Sequence, residues 1–127
     1  MQLVLKLDRL ELAILALHMN IMRKSVKKGF KANYGLLEGR KKIKLYDDIK
    51  EKISEGYDEE MDIVILPFSV DEIDMLSSFM NFYVLELKLA AEIETFNIKN
   101  NEVLRVLEII KDRVCALEQH VTNEALY

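Results

Sequence analysis

The 127 residues contain one cysteine, one proline, four glycines, two histidines and no tryptophan. The lone thiol, Cys115, excludes an intrachain disulfide framework and any zinc site built from several cysteines. So few glycines and prolines exclude collagen-like and low-complexity chains, and an apolar content of 50% excludes a disordered one. The sequence holds no glycine-rich phosphate loop, no HExxH, no GxSxG and no EF-hand spacing. Its greasiest stretch, Leu12 to Leu17, stops at His18 and Asn20, far short of the ~20 residues of a membrane span. The opening residues Met1 to Asp8 lack the regions of a signal peptide, and Ala125-Leu126-Tyr127 is not a prenylation box. These absences together predict a cytoplasmic protein with no cofactor, no metal and no enzymatic activity.

What is present is material for one mainly α-helical domain spanning residues 1–127. At 14.8 kDa it is large enough to bury roughly two-thirds of its unfolded surface without staples. Shifting the sequence by 61 residues aligns it with itself without a gap. Leu5 then meets Leu66, Glu11 meets Glu72, Leu15 meets Leu76, and Met19-Asn20 meets Met80-Asn81. Lys27 meets Lys88, Ile49-Lys50 meets Ile110-Lys111, and Lys50-Glu51-Lys52-Ile53 meets Lys111-Asp112-Arg113-Val114. We read this as an internal duplication of a strand–helix–helix unit, with repeat 1 at residues 1–60 and repeat 2 at 61–127. The expected product is a pseudo-twofold four-helix core carrying two short β-strands.

The strands are predicted at Gln2 to Leu7 and Asp62 to Phe68, pairing with each other or with a second subunit. Helix starts follow at the same register: Asp8 with Glu11, and Ser69 with Glu72, each place a capping acceptor three residues before a Glu that reaches back. The first helix of each half is apolar nearly all round, ending near Gly29 in one and about Glu94 in the other. The second helices are amphipathic. In the last one Val103, Leu107, Ile110, Val114, Leu117 and Val121 form a heptad seam, with Asn100 or Asn101 as the cap. Its counterpart carries Tyr46, Ile49 and Ile53 and stops at Gly56. Between Gly29 and Gly39 the glycines favour a loop, while Leu36-Leu37 favour an early helical turn.

Charge separates the halves that apolar pattern unites. Residues 1–60 carry a net +3 and residues 61–127 a net −7. Nine cations, Arg23, Lys24, Lys27, Lys28, Lys31, Arg40, Lys41, Lys42 and Lys44, face only Glu38 over that stretch. Such a patch suits nucleic acid, phosphate or an acidic protein surface, with Phe30 and Tyr34 interleaved to stack on bases. A solvated face, with lysines favouring a helix C-terminus, also explains it, as does neutralisation by the acidic half of a partner subunit.

The residues that ordinarily carry chemistry have structural explanations here. His18 lies on an apolar helix in register with Phe79 and reads as a packing residue. Cys115 is a small filler beside the heptad seam, and His120 with Glu118 lacks partners for a metal. Asp71-Glu72 belongs to a helix start, Asp74 to the surface, and Asp58-Glu59-Glu60 to an acidic connector. Asn20 and Asn81 are polar residues at matching places in apolar helices, and are expected to fix the register of the pseudo-twofold interface unless both face solvent. Two apolar central helices need more cover than the outer pair supplies, which predicts a homodimer or a docked partner helix. The function expected is a non-enzymatic protein–protein interaction or regulatory module, an adaptor or inhibitor, acting through apolar helix surfaces and the basic patch. The alternative is a nucleic-acid-associated protein using residues 23–44. A membrane partner is not expected, because the apolar helices lack a lysine-rich opposite face.

Overall fold

The computed structural model describes residues 2–93 and 98–125, with side chains described at 2–89 and 102–121. The chain is mainly helical, in the order β1 (Gln2–Asp8), α1 (Arg9–Gly56), β2 (Ile63–Ser69), α2 (Val70–Ile93) and α3 (Ile98–Ala125). Both strands alternate strictly, with Leu3, Leu5 and Leu7 turned inward on β1, and Val64, Leu66 and Phe68 on β2. That alternation is what a two-stranded ribbon needs to lie on helices with one face wet. The strands pair with each other, antiparallel, with Leu5 opposite Leu66 and Val4 opposite Pro67. Pro67 is tolerated because a ribbon strand needs ladder bonds on one side only. Its carbonyl accepts from Lys52 Nζ at 3.2 Å.

Both helices that follow a strand are fastened by a complete capping box. Asp8 accepts from the Glu11 amide at 2.7 Å while Glu11 accepts from the Asp8 amide at 2.8 Å. Ser69 and Glu72 repeat the arrangement at 3.1 and 2.9 Å. Each arrangement satisfies backbone donors that a helix start otherwise leaves open.

Helix α1 does not end near Gly29, and residues 29–39 form no extended loop. Helical geometry runs on to a single break at Gly35, whose φ of 81° and ψ of −177° only glycine adopts readily. The chain reverses there, and the limbs 9–34 and 36–56 lie antiparallel. Tyr46 Oη donates to the Met19 carbonyl at 2.6 Å, and Arg23 grips Asp47. Nearer the turn the limbs touch so closely that a Cβ on Gly39 would come within 3.2 Å of the Lys31 backbone. Gly29 escaped its expected role because nothing forces a stop there: the space around it is open and one mid-helix glycine costs only ~1 kcal/mol.

Helices α2 and α3 pack on each other in the second half. Leu107, Ile110 and Val114 of the heptad seam are buried, and Val103, Leu117 and Val121 are half-buried. Helix α3 begins at Ile98, ahead of the expected caps Asn100 and Asn101. The expected end of α2 at Glu94 lies outside the described residues.

One core joins all five elements. In the first half the buried positions include Leu3, Leu5, Leu7, Glu11, Leu12, Leu15, Met19, Tyr46, Ile49 and Ile53. Sixty-one places on stand Val64, Leu66, Phe68, Glu72, Ile73, Leu76, Met80, Leu107, Ile110 and Val114, every one of them buried. The two buried glutamates each reach across the molecule. Arg113 of α3 pairs with Glu11 at 2.6 Å and donates to the Lys6 carbonyl at 3.2 Å. Lys52 of α1 pairs with Glu72 at 2.7 Å and donates to the Pro67 carbonyl at 3.2 Å. A carboxylate this enclosed needs both its backbone donor and its cation to offset the loss of water.

Candidate interaction surfaces

The α1 hairpin brings the nine cations of the sequence patch together on its two antiparallel limbs. Limb 9–34 contributes Arg23, Lys24, Lys27, Lys28 and Lys31, and limb 36–56 contributes Arg40, Lys41, Lys42 and Lys44. Arg23 is committed to the fold through a two-pronged pair with Asp47, at 2.7 and 2.8 Å. That hydrogen-bonded pair holds the Asp47 carboxyl below its ordinary range and raises the Arg23 guanidinium above its own. Lys42 lies over the Tyr34 ring, its Nζ 4.4 Å from the centroid. Lys24, Lys27, Lys28, Lys31, Arg40, Lys41 and Lys44 are exposed.

Tyr34 and Phe30, spaced one helical turn apart, pack at 6.2 Å. Below them the first limb of α1 and helix α2 enclose a cleft of about 290 Å³, walled by Met22, Val26, Phe30, Met75, Phe79 and Phe82. Sequence reasoning missed this cleft. Its residues read as two separate apolar faces, and only the packing of α1 against α2 sets them opposite one another.

Asn20 and Asn81 occupy matching exposed places, and neither amide crosses between the halves. Asn20 Oδ1 accepts from Lys50 Nζ at 3.2 Å, within the α1 hairpin. Asn81 Nδ2 donates to the Ser77 carbonyl at 2.9 Å and lies 3.4 Å from the Cys115 sulfur, between α2 and α3. Asn20 is thus tied within the α1 hairpin, and Asn81 bridges toward α3 from α2.

Helices α1 and α2 each carry an exposed apolar stripe. On α1, Leu10, Ile14, Leu17 and Ile21 follow a four–three–four spacing, with Leu10, Leu17 and Ile21 exposed. On α2, Phe82, Leu85 and Leu89 continue the same spacing, all exposed. The outer face of the ribbon adds Val4, Ile63 and Ile65.

Residues with chemical potential are tied into packing. His18 is half-buried, with Nδ1 2.6 Å from Tyr83 Oη, and burial lowers its pKa below the usual 6.5. Burial likewise raises the Tyr83 hydroxyl. Ser77, buried between α2 and α3, touches Glu118 at 3.3 Å and the Cys115 sulfur at 3.5 Å. Burial, followed by a hydrogen bond shared with Asp74, pushes the Glu118 carboxyl up. Among the described residues no group of three or more His, Cys, Asp or Glu is placed to hold a metal ion. No described helix is long and apolar enough to cross a membrane. No family model, no curated protein and no solved structure matches the chain.

Proposed function

We propose that this protein is a non-enzymatic interaction module, an adaptor or inhibitor of the cytoplasm, that binds a second copy of itself or another protein through α1 and α2. The observation that carries this reading is the pair of exposed stripes, Leu10–Leu17–Ile21 and Phe82–Leu85–Leu89. Their heptad spacing is that of a seam waiting for a helix, and their neighbours on the inner side already fill the core. The scaffold beneath is read as a duplicated strand–helix–helix unit, its four helices being the two limbs of α1 with α2 and α3. In favour of that reading, ten buried positions recur at a spacing of 61, as do both capping boxes and both Glu–cation bridges. The ribbon register also sets Leu5 opposite its own counterpart, Leu66, where a twofold axis would pass.

Size-exclusion chromatography with light scattering tests the reading at low and high salt. An assembly driven by apolar burial survives salt and falls apart in Leu17→Glu/Ile21→Glu and in Phe82→Glu/Leu85→Glu. A monomer under all conditions leaves only a foreign partner for the stripes. The convergence of both limbs' cations at one tip favours a second reading, a nucleic-acid partner at residues 23–44. Fluorescence anisotropy of a labelled oligonucleotide tests that one. Binding that weakens steeply with salt and disappears in Lys27→Glu/Lys28→Glu/Lys41→Glu/Lys42→Glu supports it, and no binding at low salt ends it.

A further inference from the structure

The tip of the α1 hairpin carries apolar side chains where a purely electrostatic patch has no use for them. Leu37 is 74% exposed, more than any other large apolar side chain described, and Leu36 and Tyr34 are 54% and 51% exposed. Lys28, Lys31, Arg40 and Lys41 stand around them, all exposed, and Glu38 is the only carboxylate between Arg23 and Lys44. Because Gly35 reverses the chain within one residue, Leu36 and Leu37 cap a two-limbed helical finger. The close approach of Gly39 to Lys31 keeps that finger narrow.

An apolar end ringed by cations is complementary to a bilayer surface rich in anionic headgroups. Leucines can enter the boundary of the acyl region while lysines and arginines stay at phosphate level. Neither signal holds a protein at a membrane by itself, and this tip supplies both. Nucleic acid would satisfy the cations but offers the leucines nothing. Its bases need open ring faces to stack on, whereas Tyr34 already carries Lys42 at 4.4 Å and Phe30 at 6.2 Å. Asp71 and Asp74 of α2 line a cleft with Tyr34 and Lys42. The sign of the charge therefore changes between the α1 hairpin and α2, and the −7 of residues 61–127 turns the rest of the molecule away from an anionic surface.

We propose that the hairpin tip, Tyr34–Lys41, docks the protein peripherally on anionic lipid surfaces, with Leu36 and Leu37 inserted and the surrounding cations on the headgroups. The expectation against a membrane partner concerned the faces of the apolar helices; this site is the turn between two limbs and stands apart from the helical stripes.

Co-sedimentation of the full chain with vesicles of phosphatidylcholine alone, and of phosphatidylcholine with phosphatidylglycerol, tests the proposal at two salt concentrations. Binding is expected only to the anionic vesicles, weakening with salt. It should fall about tenfold or more in Leu36→Ser/Leu37→Ser and in Lys31→Gln/Arg40→Gln/Lys41→Gln. All of these side chains are exposed, so circular dichroism should stay unchanged. Since the chain has no tryptophan, Leu37→Trp gives an independent reading: its emission shifts to the blue when anionic vesicles are added. The proposal is overturned if the native chain stays in the supernatant with anionic vesicles, if the leucine variant pellets as well as the native chain, or if the Trp emission does not move. An oligonucleotide bound equally by native chain and leucine variant, with no vesicle binding, would give the tip to nucleic acid.

Discussion

Gly35 holds the one positive φ among the glycines, and its φ/ψ pair lies in a region that costs other residues of order 1–3 kcal/mol. Gly35→Ala is therefore expected to lower stability by about that amount, whereas Gly29→Ala, in open space within a helix, is expected to raise it slightly. Urea titration of both variants checks the contrast. Titration by acid works through other residues. Burial tends to raise the Glu72 carboxyl, but the bonds from Lys52 and Ser69 prevail and hold it low, and burial lowers His18. Both groups have folded pKa values below their unfolded ones. Each thus contributes stability that is present above the unfolded value and is lost as pH falls through the folded one. Stability should decline first below the ordinary 6.5 of histidine and again below the ordinary 4.5 of glutamate. Unfolding measured from about pH 8 downward should show the upper step vanish in His18→Gln. Half of the Glu72 story was legible in the sequence. Its capping role is local, three residues from Ser69, but Lys52 is 20 residues away and arrives only through tertiary packing.

At the scale of elements, the α2–α3 contact contains a polar cluster with no counterpart in the α1 hairpin. Glu118 bonds Ser77 and shares a hydrogen bond with Asp74, and its carboxyl is raised above the usual 4.5. A raised carboxyl contributes stability below its unfolded value and loses it as pH rises through the folded one, opposite in sign to Glu72. Glu118→Gln removes the repulsion from Asp74 while keeping an acceptor for Ser77. Its melting temperature at neutral pH should exceed that of the native chain, and the difference should shrink on acidification. This cluster was not legible in the sequence, where Asp74 looked merely exposed and Glu118 was weighed only as a metal ligand beside His120, because helical spacing does not tell which faces of α2 and α3 meet. The strands were nearly fully legible: alternation placed both within a residue of their observed ends. The reversal at Gly35 was not, since Gly29, Gly35 and Gly39 offer the same local signal and only the packing of the two limbs selects one of them.

For the molecule as a whole, the recurrence of buried positions makes a strong demand on chain order. If residues 1–60 and 61–127 are equivalent units, a circular permutant opened between Asp58 and Met61, with the old ends joined by a short flexible linker, should fold to the same helical content and cooperative melt. Failure to fold would count against the duplication. Here the sequence was informative in pattern and poor in identity: Lys52 and Arg113 stand in register as different residues, yet each makes the same two contacts. The antiparallel ribbon has a consequence in time as well. During synthesis β1 leaves the ribosome ahead of its partner by the whole of α1 and the connector, several seconds at roughly 5–20 residues per second. Through that interval Leu3, Leu5 and Leu7 have no strand beside them, and the α1 hairpin is the nearest cover they have. A nascent chain stalled before Ile63 thus presents the apolar face of β1 with its partner strand still unmade.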